Sequence, residues 1–418
     1  MKTTFSILIL NILLSFVLTA QTKQISMGGG YIYQSFYSMA NGEILNSLNN
    51  DWDIAFTTDT YSSTIRINGG GVYGQGVELY TYHLGDTSNW SSINTSTPNI
   101  LTSPMHNSDT SWNYGAFGMN QTNGMLDYGW GVYNTVTHHI VGDSLYVIKT
   151  INGNWKKLWI KKKASGSYEF TYANLDGSNI ISTTVSASNY SNKRFVYYSL
   201  DQDQIIDREP DLSSWDITFT RYITTVQGMP YPVTGILSNI GIKIADADNI
   251  PSPSNYTDYN NHTFNQEINT IGDDWKTFDM SSFTYTLDNE RCFFIKDYNE
   301  DVWRLIFTKF DGSSTGNIEF NIQNLSTTAI NNIQDSENSL NIYPNPVNNQ
   351  DITIIYDIKN DKAKLNIYDL SGREVYASKL VGNGFNTHKI SGNHLEKGIY
   401  IVSLICNNNI LTDRLIIK

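Results

Sequence analysis

From Trp52 to Thr57 apolar and polar positions alternate. On a strand this sets Trp52, Ile54 and Phe56 on one face and Asp53, Ala55 and Thr57 on the other. The same alternation returns from Trp215 to Thr220, with Trp215, Ile217 and Phe219 in the same register. Its neighbours return too. Tyr37-Ser38-Met39 precedes the first copy and Tyr198-Ser199-Leu200 the second. Gly76-Val77-Glu78-Leu79 is answered by Gly241-Ile242-Lys243-Ile244, and Tyr146-Val147-Ile148-Lys149 with Trp155 by Phe293-Phe294-Ile295-Lys296 with Trp303. Tyr168-Glu169-Phe170 is answered by Ile318-Glu319-Phe320, so the order is kept throughout. One domain is written twice. The copies stand 163 positions apart, which excludes a propeller, whose blades recur about every 40–50 residues. No window sustains a helical period. The pattern predicts an all-β chain of two tandem β-sheet domains, 21–185 and 186–327, with the apolar face of each signature strand as core.

The ends read differently. Lys2 followed by the apolar stretch Phe5 to Leu18 and the small pair Thr19-Ala20 predicts a secretory signal peptide over 1–20. No later stretch is long and apolar enough for a transmembrane helix. A polar linker, 328–339, precedes Leu340-Asn341-Ile342-Tyr343-Pro344-Asn345-Pro346-Val347. Alternating strands follow, with turns at Asp369-Leu370-Ser371-Gly372 and Glu396-Lys397-Gly398, and predict a small C-terminal β-sandwich over 340–418. The order of these pieces resembles the type A C-terminal sorting domain of the type IX secretion system. That resemblance implies a bacterium of the Bacteroidetes group, engagement of the type IX machinery, removal of the tail by a sortase, and release or attachment at the cell surface.

Composition narrows the function. The 418 residues carry a formal net charge of -12, which argues against nucleic-acid binding. The one basic run, Lys156-Lys157 and Lys161-Lys162-Lys163 around Leu158-Trp159-Ile160, reads as a charged, solvent-facing strand. Aromatic residues make up 13% and charged residues 16%, a balance that suits sheets better than long helices. Cys292, beside Phe293-Phe294, reads as an unpaired core residue, since Cys406 falls in the tail.

A Trp-Asp-Ile-x-Phe strand, an Asn/Gly-rich turn (Asn68-Gly69-Gly70-Gly71) and a following Gly-Val or Gly-Ile strand resemble the HmuY family of secreted haem-binding proteins. The resemblance implies HmuY-like, all-β domains that hold haem between two axial histidines from loops beyond the signature strand. In the first copy the candidates are His106 paired with His138 or His139, with His106 and His139 as the metal ligands. Met105, Met119 and Met125 are alternatives. Between them lies an aromatic and glycine segment, Trp112 to Tyr133, without counterpart in the second copy, that could wall haem or another flat hydrophobic ligand. The second copy has only His262 and cannot supply a pair.

Other motifs carry less. Gly69 to Gly76 lacks the Gly-Lys-Ser/Thr of a phosphate loop and reads as tight turns. Asp201-Gln202-Asp203 and Asp246-Ala247-Asp248 lack the remaining ligands of a calcium loop and read as solvated turns. No hydrolase motif is present, so no enzymatic activity is expected. The two readings left are an exported haem-capture protein and a cofactor-free surface module that binds protein or glycan.

Overall fold

A computed structural model of the chain describes residues 20–326 except 123 and 125, and 338–418 except 349–350, 359–361, 382–383, 392–394 and 407–408. The expected signal peptide, Ala20 apart, and the linker up to 337 lie outside the described residues, as does Met125. The chain divides into two units, 1–328 and 329–418.

In the first unit two β-lobes form, each a pair of sheets closed on a core. In the first lobe the strands Gln204–Ile206, Phe195–Ser199, Ile54–Thr57 and Ile65–Ile67 lie side by side in that order. They face a larger sheet that includes Tyr146–Lys149, Trp155–Ala164, Ser167–Asn174 and Ile181–Ser186. Ile54, Phe56, Tyr146, Leu158, Phe170 and Tyr198 are buried between the two. In the second lobe Met229–Ser238, Ile217–Val226, Tyr33–Ser38 and Gly42–Leu48 form the equivalent sheet. It faces Gln21–Ser26, Asn317–Asn324, Val302–Phe310, Cys292–Lys296 and Lys243–Ala247.

The lobes do not follow the expected boundary at 185/186. The Tyr-Ser hairpin of the first copy, 33–48, completes the sheet of the second copy's signature strand, with Tyr37 opposite Ile217. The Tyr-Ser hairpin of the second copy, 195–206, completes the sheet of the first, with Tyr198 opposite Ile54. The N-terminal strand Gln21–Ser26 likewise joins the second lobe, against Asn317–Ile322. The copies have exchanged hairpins, and the chain crosses between lobes at 49–53 and 207–216. Arg208 locks the two crossings together, donating to the carbonyl of Leu48 at 2.6 Å and to Gln34 at 2.8 Å, with Asp51 at 3.5 Å. Its guanidinium lies 5.4 Å from the Trp52 ring and 5.1 Å from that of Tyr197.

Each signature Asp latches the exchanged hairpin. Asp53 accepts the N–H of Leu200 and that of Ile151, both at 2.7 Å. Asp216 accepts the N–H of Met39 at 2.7 Å. The tryptophans repeat the exchange: Trp52 meets Tyr197 edge-on at 4.8 Å, and Trp215 meets Phe36 at 5.1 Å. This corrects the placement of Trp52 with Ile54 and Phe56 in one core. The strand begins at Ile54, so a period of two does not extend back to residue 52, and Trp52 packs with Ala55, Phe195 and Tyr197 instead.

Burial raises the carboxyls of Asp53 and Asp216 to about 6 and that of Glu209 to about 7. Glu209 accepts from the Tyr197 hydroxyl at 2.7 Å and from the N–H groups of Arg194 and Phe195. A carboxyl whose folded value is raised adds stability below its unfolded value and loses it as pH rises through the folded one. Stability is therefore expected to fall between pH 4.5 and 7.5 by an amount on the order of a few kcal/mol, and the melting temperature with it. A melt series that is flat or rises across that window would contradict this.

The lysine strand holds its expected exposure only in part. Lys157 donates to the carbonyls of Trp90 and Ile93 at 3.1 and 3.2 Å, and Lys163 to those of Asp59, Thr60 and Ser62; both are buried. Cys292 and Cys406 are buried and unpaired.

The second unit is a β-sandwich of its own. Asn338–Tyr343, Ile352–Ile358 and Gly384–Ile390 form one sheet, and Glu374–Val381, Lys362–Asp369, Gly398–Cys406 and Asn409–Ile417 the other. Ile354, Ile367, Val402 and Leu415 are among its buried residues. The expected turn at Asp369 is present: its carboxylate accepts the N–H groups of Ser371 and Arg373 at 2.9 and 3.1 Å, and Gly372 takes φ 83°.

Candidate functional site

Between the lobes runs a cleft built from two adjoining depressions, about 420 and 260 Å3, that share His106 and Ile223. One wall comes from first-lobe loops, residues 69–78 and 104–119, and the other from the second lobe's hairpin, 221–232. The glycine run is what lets these meet. A Cβ on Gly70 would stand 2.2 Å from the carbonyl oxygen of Arg221, and Gly71 turns with φ 47°. Asn107 fixes the loop above, accepting from Ile67 and Ala116 at 3.0 and 3.1 Å and donating to Ile67 at 2.7 Å. Thr224 donates to Asp109 across the lobes.

Of the three predicted histidines, only His106 lines this cleft. Its backbone N–H meets the Met119 sulfur at 2.7 Å, and its Nε2 is buried without a partner. Burial lowers its pKa, which keeps the ring neutral. His138 and His139 sit in the hairpin of Gly131–Asn134 and His139–Gly142, where Nδ1 of His138 is 2.9 Å from the Tyr133 hydroxyl. Neither borders the cleft. Bis-histidine ligation needs two imidazoles on opposite faces of one flat group with open nitrogens. These residues do not fit that arrangement, because the rings do not share a cavity. Met119 does not substitute, since its sulfur is engaged by the backbone N–H of His106. Met105 is buried in the first core. Among the described residues no group of three or more His, Cys, Asp or Glu side chains is placed to hold a metal.

The aromatic segment also distributes differently from expectation. Phe117 and Trp130 fill the first core. Trp112 pins the lobes, donating to the Ser238 carbonyl at 2.8 Å and lying under Arg66, 4.9 Å away. Only Tyr114 and Met119 are left exposed in the cleft, Tyr114 at 64%. The acidic pairs considered for calcium are engaged: Asp201 accepts from Thr150 at 2.7 Å, and Asp246 holds Arg291 through two bonds of 2.8 and 2.6 Å.

Sequence reasoning missed Arg221. It is 9% exposed, lines the smaller depression, and is surrounded by Tyr31, Tyr73, Tyr231 and Tyr285. Tyr73 and Tyr231 are 66% and 59% exposed. The available signal was its register: Ile217, Phe219 and Arg221 alternate onto the core-facing side, where a charge is out of place.

Residues 341–418 match the family model of the secretion system C-terminal sorting domain. The chain thus carries a type IX secretion tail, which engages that machinery and directs the protein to the cell surface or to release. No helix among the described residues is long and apolar enough to cross a membrane. No curated protein matches the chain. Two solved structures show a distant likeness. One is PorZ of Porphyromonas gingivalis, described as an essential bacterial surface component of the type-IX secretion system. It is 11% identical over 68% of this chain and 44% of PorZ, with a TM-score of 0.17. The chain thus spans less than half of PorZ. The other is a biofilm-associated protein, its BSP domain, 10% identical over 88% of this chain and 67% of that one, with a TM-score of 0.16. Likeness at this level does not bear on function.

Proposed function

We propose that this exported protein is a cofactor-free surface binding module that takes a carbohydrate in the inter-lobe cleft. The observation that carries the reading is the exposed ring of Tyr114 in the cleft, with those of Tyr73 and Tyr231 on the segments that wall it, over a lining that mixes polar side chains (Ser108, Asp109, Thr224, Thr225, Gln75, Glu78) with apolar ones (Val72, Val77, Met119, Ile223). Sugar rings stack their C–H faces on aromatic rings and hydrogen-bond at their edges, and a cleft at a domain interface is where such sites form. The Trp112–Tyr133 segment, absent from the second copy, supplies one wall, so the cleft belongs to what distinguishes the copies.

Titration calorimetry with oligosaccharides of about six residues tests this. Tyr114→Ala and Tyr231→Ala are each expected to weaken binding about tenfold, roughly 1.4 kcal/mol, without lowering the melting temperature. An oligosaccharide that binds both variants as well as the native chain would sink the cleft as its site. A haemin titration distinguishes the haem reading: a Soret band lost in His106→Ala would replace this proposal.

A further inference from the structure

Arg221 holds a buried charge with no counter-ion. Among the other buried arginines, Arg208 has Asp51 at 3.5 Å, Arg194 has Asp59 at 4.0 Å, and Arg66 donates to the carbonyls of Ser111, Tyr114 and Ser108. Arg304 donates to the Tyr256 carbonyl and to Gln323. Arg221 donates to the Val72 carbonyl and, at 3.5 Å, to that of Pro232, while its Nε has no partner. No described carboxylate lies within ion-pair distance of it, and the rings of Tyr31 and Tyr73 lie 5.8 and 5.9 Å from its guanidinium. A buried, unpaired guanidinium costs several kcal/mol, and such a group asks for an anion.

We propose that the cleft receives the monoanionic group of an acidic sugar, a carboxylate or a sulfate, on Arg221 between Tyr73 and Tyr231. This rests on the carbohydrate reading above and names its ligand class. A planar guanidinium fork fits a carboxylate or sulfate edge through paired hydrogen bonds, and the exposed rings of Tyr73 and Tyr231 leave room for the sugar that carries it. The chain as a whole is acidic, at -12, and repels a polyanion at long range. Salt screens that repulsion more than it screens a contact at a buried arginine. Affinity is therefore expected to hold or rise as salt increases, opposite to capture by surface lysines.

The test uses the full exported chain and four hexasaccharides: a galacturonate and its methyl ester, and a sulfated galactan and its desulfated form. The acid or the sulfated sugar is expected to bind at least tenfold tighter than its neutral counterpart from 50 to 300 mM salt, and Arg221→Gln to erase that preference. Whichever anion is preferred identifies the group. Equal binding of charged and neutral forms by the native chain, or a preference that survives in Arg221→Gln, overturns this inference while leaving the cleft reading in place. Binding by none of the four overturns both. Should Arg221→Gln melt early, Arg221→Lys decides: it keeps the charge without the fork, and is expected to keep the preference at about tenfold lower affinity. A Lys variant that binds charged and neutral sugars alike counts against the proposal.

Discussion

Deleting residues 21–48 is expected to unfold the second lobe and leave the first one folded. The deleted segment supplies an edge strand to one sheet of that lobe and two strands to the other. It also removes Ile25, Met27, Tyr31, Phe36, Tyr37 and Met39 from burial, each at most 3% exposed. At roughly 1.5–3 kcal/mol per buried apolar side chain, six of them amount to about 9–18 kcal/mol, as much as the 5–15 kcal/mol that a whole domain has in reserve. The first lobe, 52–206, loses none of its strands. Limited proteolysis of the shortened chain should give a protected fragment near 52–206 and rapid loss of 217–326. Adding a 21–48 peptide should restore protection by strand addition. If the shortened chain instead resists protease throughout and melts in one transition at the native temperature, the exchange described above is wrong.

Asp53→Ala is expected to be the most damaging single substitution in the signature strands. It strips acceptors from two buried N–H groups, those of Leu200 and Ile151, whereas Asp216→Ala strips one, that of Met39. Each buried donor left without a partner costs about 1–3 kcal/mol. Asp53→Ala should therefore lose about 3–5 kcal/mol and Asp216→Ala roughly half as much. In a lobe of this size that is a drop on the order of 10 °C for the first. Asp53→Asn should fall between native and Ala, because an amide oxygen can accept one donor while its NH2 confronts the other. Denaturant melts of the three variants check the ranking; equal losses at Asp53 and Asp216 would show that the second bond of Asp53 contributes nothing. The loss of stability with rising pH should also shrink in Asp53→Ala, since one of the raised carboxyls is gone.

The sheets were legible in the sequence because period-two alternation is a local signal, and the sorting tail because its strands and turns follow one another along the chain. The partnering of hairpins was not. Tyr37-Ser38-Met39 and Tyr198-Ser199-Leu200 offer the same backbone donors and the same aromatic ring to either signature strand. Pairing within a copy and pairing across copies satisfy the same alternation, so nothing local separates them. Trp52 and Trp215 were placed with their strands because the alternation runs through them, although the strands begin two residues later. In the site, His106, singled out as a haem ligand, lines the cleft, while His138 and His139 stand in a hairpin away from it, and loop geometry leaves no periodic trace. Lys157 and Lys163 escaped notice because their partners are carbonyls, and a carbonyl carries no sequence identity.

The hairpin exchange has a meaning for what one copy could do by itself. Cut at its own sequence boundaries, a copy would hold a Tyr-Ser hairpin and a Trp-Asp strand that in this protein never pair with each other. Each half of the contact is duplicated: Asp53 to Leu200 and Asp216 to Met39, Trp52 to Tyr197 and Trp215 to Phe36. Interchanging the copies leaves that list unchanged, which is the property of an isologous interface between identical subunits. Within one chain the two lobes thus show the reciprocal exchange that marks a domain-swapped pair. The cleft breaks that symmetry, because the segment that lines it is carried by one half alone.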